Sequence, residues 1–260
     1  MKPFARFDFS LFVLLLVLGL FGGAIVEMAR AYPDAGRGLI IYASAQKDLF
    51  IDAGLVSESY HVRAPASLVQ RLRAQTVIVG TRTSEHSAYM GAGVIVAAKH
   101  GMLTILTAKH IIAHKGPHFV VFANHEGRPA ARVVPSRTAD LALVYVRAIP
   151  GVSYRIAHIG KLGFISGQRF VVMGHPGAKN WLASPGIAEH HLHQTLLFCP
   201  SCDRGDSGAG AFDTAGTLRG IVVTKAVIAA PNARTWQPVT LTAFEIERPE
   251  TIRAFLQRNR

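Results

Sequence analysis

Acidic side chains are scarce: 16 Asp and Glu face 28 Lys and Arg, a formal net charge of +12, which excludes an acidic solvating chain. The basic excess points to an anionic neighbour, and nucleic acid, anionic lipid and cell-wall polymer all qualify. No run of five Lys or Arg occurs, and aromatic residues make up only 8%, so the interleaved stacking platform of a nucleic-acid binder is missing and none is expected as partner. Cysteine is nearly absent at two residues, too few for a disulfide scaffold. The 24 Gly and 13 Pro follow no fixed period, which excludes collagen and solenoid repeats. A 50% hydrophobic, 17% charged chain of 260 residues folds, as one domain or two joined halves.

Long hydrophobic runs are absent with one exception. Lys2 and Arg6 precede an uncharged stretch from Leu11 to Val26, LFVLLLVLGLFGGAIV. As a helix it spans about 24 Å against a hydrocarbon core of about 30 Å. Residues 1–31 are expected to be a signal peptide or a retained signal anchor. Ala29 and Ala31 supply the small residues of a cleavage site, although Arg30 between them is atypical. Either outcome places the remainder outside the cytoplasm, periplasmic, secreted or membrane-anchored. Residues 32–75 read as a linker, propeptide or cap, with a short helix in PASLVQRLRAQ.

From Thr76 the texture changes to short β-branched runs bounded by turn residues: TVIVGT, GVIVAA, LTILTA, HFVVFA, ARVVP, LALVYV, QRFVVMG, TLLF and LRGIVVT. Such spacing predicts an all-β sandwich or barrel. Pro150-Gly151 separates two β-rich halves, about 76–150 and 151–245. A helix is expected over about 248–258, with Ile252, Phe255 and Leu256 on one face.

Three segments carry chemistry together. GDSG, Gly205 to Gly208, sets a serine between glycines on a tight loop where neighbouring amides can point at a developing anion. TAKH places His110 just after an apolar strand, and TADLALVYV places Asp140 at the head of another. A serine hydroxyl is a weak nucleophile until an imidazole takes its proton. That imidazole needs a carboxylate on its other nitrogen to fix the tautomer and stabilise the imidazolium.

In this order the segments resemble the trypsin-like (chymotrypsin-fold) serine peptidases, closest in texture to HtrA-type protease domains. The resemblance runs from about Thr76 to Lys225, through GAGVIVAAKHGMLTILTAKHI, TADLALVYV, GQRFVVMGHPG and GDSGAGAFDTAGTLRGIVV. It implies two six-stranded Greek-key β-barrels with the site in the cleft between them. It also implies His110, Asp140 and Ser207 as catalytic triad, the amides of Gly205 and Ser207 as oxyanion hole, a polypeptide substrate, and no cofactor. Some 36 residues follow Thr224, too few for a PDZ module. The alternative from another class is a catalytically inactive protease-fold binding protein at the cell envelope.

Departures from the family pattern matter as well. Ser207 is followed by Gly208-Ala209-Gly210 where the family usually has Gly-Gly-Pro. Asp206 matches the digestive enzymes, in whose zymogens that residue pairs with a new N-terminus; Val77-Ile78-Val79-Gly80 faintly resembles such a terminus, but no Arg or Lys directly precedes Ile78. Ser201 stands six residues before Ser207, at the family's primary-specificity position, and its neutrality favours small or apolar substrate side chains. It lies between Cys199 and Cys202, which can form a local disulfide or remain as thiols. Zinc binding with His190, His191 or His193 and C-x-x-C redox chemistry are the rival readings, the latter opposed by the glycines that follow. His110 and His114 lack the adjacent Glu of a metalloprotease helix.

Overall fold

The computed structural model describes residues 64–191, 194–199, 201–229 and 240–259. The apolar run Leu11–Val26 and the imidazoles of His190, His191 and His193 lie outside what is described. Among the described residues no helix is long and apolar enough to cross a membrane.

The chain opens with helix α1, Ala66–Arg73, behind Pro65, whose fixed φ suits a helix start. Leu68 and Leu72 recur at a spacing of four, so they share one face, and both are buried in the main core. The sequence alone leaves this helix with the linker; its burial joins it to the protein body.

Strands β1 (Thr76–Arg82), β2 (Ala88–Lys99) and β3 (Met102–Thr107) form an antiparallel meander, and β4 (His118–Val121) returns beside β1. That is a Greek key. Strands β5 (Gly127–Pro129) and β6 (Arg132–Pro135) sit at opposite edges of the seven-stranded sheet, whose order is β5-β4-β1-β2-β3-β7-β6, with β7 covering Ala142–Arg147. They are two halves of one run. The amide of Ala130 donates to His118 on the β4 side, whereas that of Ala131 donates to Tyr145 on β7. The chain thus changes partner between two alanines, and the sheet closes through its own backbone. Counted as one strand, β5 and β6 complete the expected six.

The second half repeats this plan with strands β8 (Arg169–Gly174), β9 (Leu182–His191), β10 (Gln194–Phe198), β11 (Gly210–Asp213), β12 (Leu218–Ala229) and β13 (Thr240–Glu247). They form a closed barrel in the order β10-β13-β12-β11-β8-β9. Each barrel is therefore a three-strand meander, a fourth strand beside the first, and two strands returning to the third. Pro185 within β9 hides that strand from the sequence pattern. It is tolerated because β8 pairs with Leu182–Ile187 while β10 pairs only from Ile187 onward, leaving one side of Pro185 without a ladder to interrupt. Helix α2 (Pro249–Arg258) buries Ile252 and Phe255 as expected, each worth about 1.5–3 kcal/mol of transfer free energy.

Candidate active site

The duplicated plan places two functional loops at equivalent positions. His110 lies in the β3–β4 connection of the first barrel and Ser207 in the β10–β11 connection of the second. After β3 the chain makes a 3-10 turn, Lys109–Ile112, whose Ile111 and Ile112 are buried and leave His110 at the surface of the cleft. The Thr81 hydroxyl donates to the Ile111 carbonyl at 3.1 Å and lies 2.7 Å from Nδ1 of His118, which fastens the turn to β1 and β4. Burial holds the His118 imidazole below its ordinary pKa.

The register of β3 on β7 then explains how Asp140 meets His110. Thr107 pairs with Ala142 in an antiparallel ladder, so Lys109 comes level with Asp140, whose carbonyl accepts the Lys109 amide at 3.2 Å, and His110 is the next residue along. Asp140 sits in a turn held by Ser136, whose Oγ accepts the amides of Thr138 and Ala139. Its Oδ2 lies 2.7 Å from Nδ1 of His110, and its Oδ1 accepts the His110 backbone amide at 3.0 Å. Burial raises the Asp140 carboxyl, but the hydrogen bonds and charge of His110, with Lys109, outweigh it and hold the group below its ordinary value. An ionised Asp140 can accept a hydrogen bond only if Nδ1 carries a proton, an arrangement that leaves Nε2 facing away from it.

One group that sequence reasoning missed completes this corner. The amide of Asp140 donates to Oε1 of Glu247 at 3.0 Å, from the end of β13 in the other barrel. Burial pushes the Glu247 carboxyl above its usual range, with the Asp140 amide pulling the other way. A separation of 107 residues offers no local signal.

The loop carrying Ser207 needs its glycines. Gly205 and Gly208 have φ of +103° and +82°; a Cβ on the first would lie 2.3 Å from the His175 carbonyl, and on the second 2.1 Å from that of Ala92. Ala92 stitches the barrels together: its amide donates to the Ser207 carbonyl at 2.7 Å, and its carbonyl accepts the Thr107 hydroxyl at 2.6 Å. Thr107 is three residues from His110. Among the described residues the amides of Gly205 and Ser207 donate to no protein acceptor, whereas Asp206 between them donates to Asp203 at 3.1 Å. The Ser207 hydroxyl likewise has no hydrogen-bond partner there, so the structure joins His110 to Asp140 but does not join Ser207 to His110.

Beneath this loop Asp206 is wholly buried. Its Oδ2 accepts the Asp203 amide at 3.0 Å, while Oδ1 has no partner and occupies the space that a side chain on Gly174 would fill. Burial pushes its pKa up to about 6. His175, also buried, accepts the Trp181 amide at Nδ1 and lies 3.3 Å from the Val77 carbonyl through Nε2; burial pushes its pKa down to about 4. The Trp181 indole donates to Thr76, so this knot pins the β8–β9 loop to the start of β1. Ile78 itself lies inside β1, paired with Ala92 and Val121, which makes it a strand residue rather than a chain terminus.

Cys199 and Cys202 form a disulfide with Cα atoms 5.3 Å apart. That consumes both thiols, and the described residues hold no cluster of three metal-ligating side chains. Ser201 lies exposed on the disulfide-closed turn, so its expected place at the base of a pocket rests on its position in the motif alone.

Comparison with known proteins matches residues 91–221 to the trypsin-like peptidase domain family, just over half of the chain. No curated protein sequence matches. Among solved structures the chain is similar to Rv3671c of M. tuberculosis. The inactive form of a serine-to-alanine mutant superposes with TM-score 0.57 at 17% identity, covering 76% of this chain and 91% of that one. The active form of the Rv3671c protease gives 0.59 at 17%, covering 73% and 82%.

Proposed function

The chain belongs to the trypsin-like peptidase domain family, and from that premise we propose that it is a serine endopeptidase using His110, Asp140 and Ser207. The observation that carries the reading is the His110–Asp140 pair beside a glycine-hinged Ser207 loop with two uncommitted amides. In this mechanism Ser207 Oγ attacks the scissile carbonyl carbon while His110 Nε2 takes the hydroxyl proton. Asp140 stabilises the imidazolium. The oxyanion of the tetrahedral adduct sits on the amides of Gly205 and Ser207, and losing one such donor typically costs about 3–4 kcal/mol. His110 returns its proton to the leaving amine, the acyl-enzyme remains, and water repeats the route to free the acid and Ser207.

Export or membrane anchoring is part of the proposal. Lys2, Arg6 and the run from Leu11 to Val26 support it, and the Cys199–Cys202 disulfide suits an oxidising compartment. The test is labelling by a fluorophosphonate probe. The folded wild type is expected to label, and Ser207→Ala and His110→Ala to lose labelling by several orders of magnitude. Folded wild-type protein that does not label would favour the inactive binding protein.

A further inference from the structure

From Leu141 to Ala188 the chain runs 48 residues without an acid while carrying five basic residues, Arg147, Arg155, Lys161, Arg169 and Lys179. Five of the seven large hydrophobic side chains exposed among the described residues fall in this run. The two most exposed are Leu162 at 74% and Ile165 at 70%.

These two are presented by a fixed loop. Phe164 between them is buried against Phe170, with ring centroids 5.7 Å apart. The amide of Gly160 donates to Leu218 and that of Gly167 to Ala188, and the Ile165 amide donates to the Gln168 side chain. Arg219, paired with Asp213, donates to the Leu162 carbonyl, and Arg253 on α2 donates to the carbonyls of Gly160 and Lys161. A loop pinned at so many points cannot turn its large apolar side chains inward. Its surroundings are predominantly cationic: Lys161 and Arg169 lie within the segment and Arg253 has no acidic partner among the described residues, against one exposed acid, Glu250, on the first turn of α2.

We infer that the Gly160–Arg169 loop is a membrane-surface contact, with Leu162 and Ile165 entering the boundary between headgroups and acyl chains of an anionic bilayer. Two apolar side chains supply the burial, and the flanking cations, worth about 1 kcal/mol each near an anionic surface, select the lipid. Independently of the catalytic reading, the contact would fix how the domain faces a membrane to which the N-terminal segment brings it.

The full chain is tested in vesicles of phosphatidylcholine with about a third phosphatidylglycerol, and in phosphatidylcholine alone. An environment-sensitive fluorophore is attached through Leu162→Cys or, for comparison, His86→Cys on the exposed β1–β2 turn. The expected result is a blue shift and quenching by headgroup-level nitroxide lipid at position 162 only, strongest with phosphatidylglycerol. Adding Ile165→Asp is expected to weaken the contact about tenfold or more. Equal quenching at both positions, no response at 162, indifference to phosphatidylglycerol, or a shift that follows protein concentration without vesicles would each overturn the inference.

Discussion

Replacing Asp206 by asparagine isolates the electrostatic cost stored under the Ser207 loop. Asparagine keeps an oxygen to accept the Asp203 amide and removes the charge from a buried carboxyl whose Oδ1 makes no hydrogen bond, although the nearby His175 amide draws its pKa down against the larger effect of burial. The native carboxyl is held at about 6 against 3.8 when unperturbed, so the fold retains its proton through a range in which the unfolded chain has lost it. Stability from this group is therefore fully present below the unfolded value and disappears as pH rises through about 6. Two pH units of difference correspond to roughly 3 kcal/mol against the ionised form. His175 acts in the opposite sense: its imidazole falls from 6.5 to about 4, so its contribution is present above the unfolded value and lost as pH falls. The two overlap, and only the difference between variant and parent separates them. Urea unfolding of Asp206→Asn and its parent, both carrying Ser207→Ala to prevent self-cleavage, should diverge between pH 4 and 7.5 by about 3 kcal/mol in favour of asparagine. That corresponds to roughly 6–12 °C in Tm. Parallel stability curves across this range would refute the reasoning, because they would show that Asp206 ionises without penalty.

Glu247→Ala leaves the Asp140 amide without its acceptor and should cost about 1 kcal/mol of stability and lower kcat about tenfold with little change in KM. Glu247→Gln, which keeps an accepting oxygen, should restore most of the rate; a glutamine variant as slow as alanine would show that the carboxylate charge, not the hydrogen bond, is what Asp140 requires. Steady-state kinetics on a peptide library should favour small or apolar residues before the cleaved bond, since Ser201 offers no charge to Arg or Lys. Rapid cleavage after basic residues alone would show that another group sets specificity.

The reach of the sequence is uneven, and particular residues show why. TVIVGT and LALVYV announce their strands by composition, and Ile252 and Phe255 announce the buried face of α2, because helix and strand periods are properties of neighbouring residues. Pro185 conceals β9, since its tolerance depends on how far β10 extends along the other side. The exposure of Leu162 and Ile165 is not a property of their residue type: the hydrogen bonds that pin their loop turn them outward.

The sequence by itself determined the order His110, Asp140, Ser207, the glycines around the serine and the β-rich halves that carry them, all of which are local patterns of residue type. The tertiary structure decided that Thr107 and Ala142 come level so that Asp140 reaches His110, that Ala92 binds both Thr107 and the Ser207 carbonyl, and that Glu247 holds Asp140 from across the barrels. Hydrogen bonds and burial act through space, and no spacing along the chain encodes which distant residue will supply them.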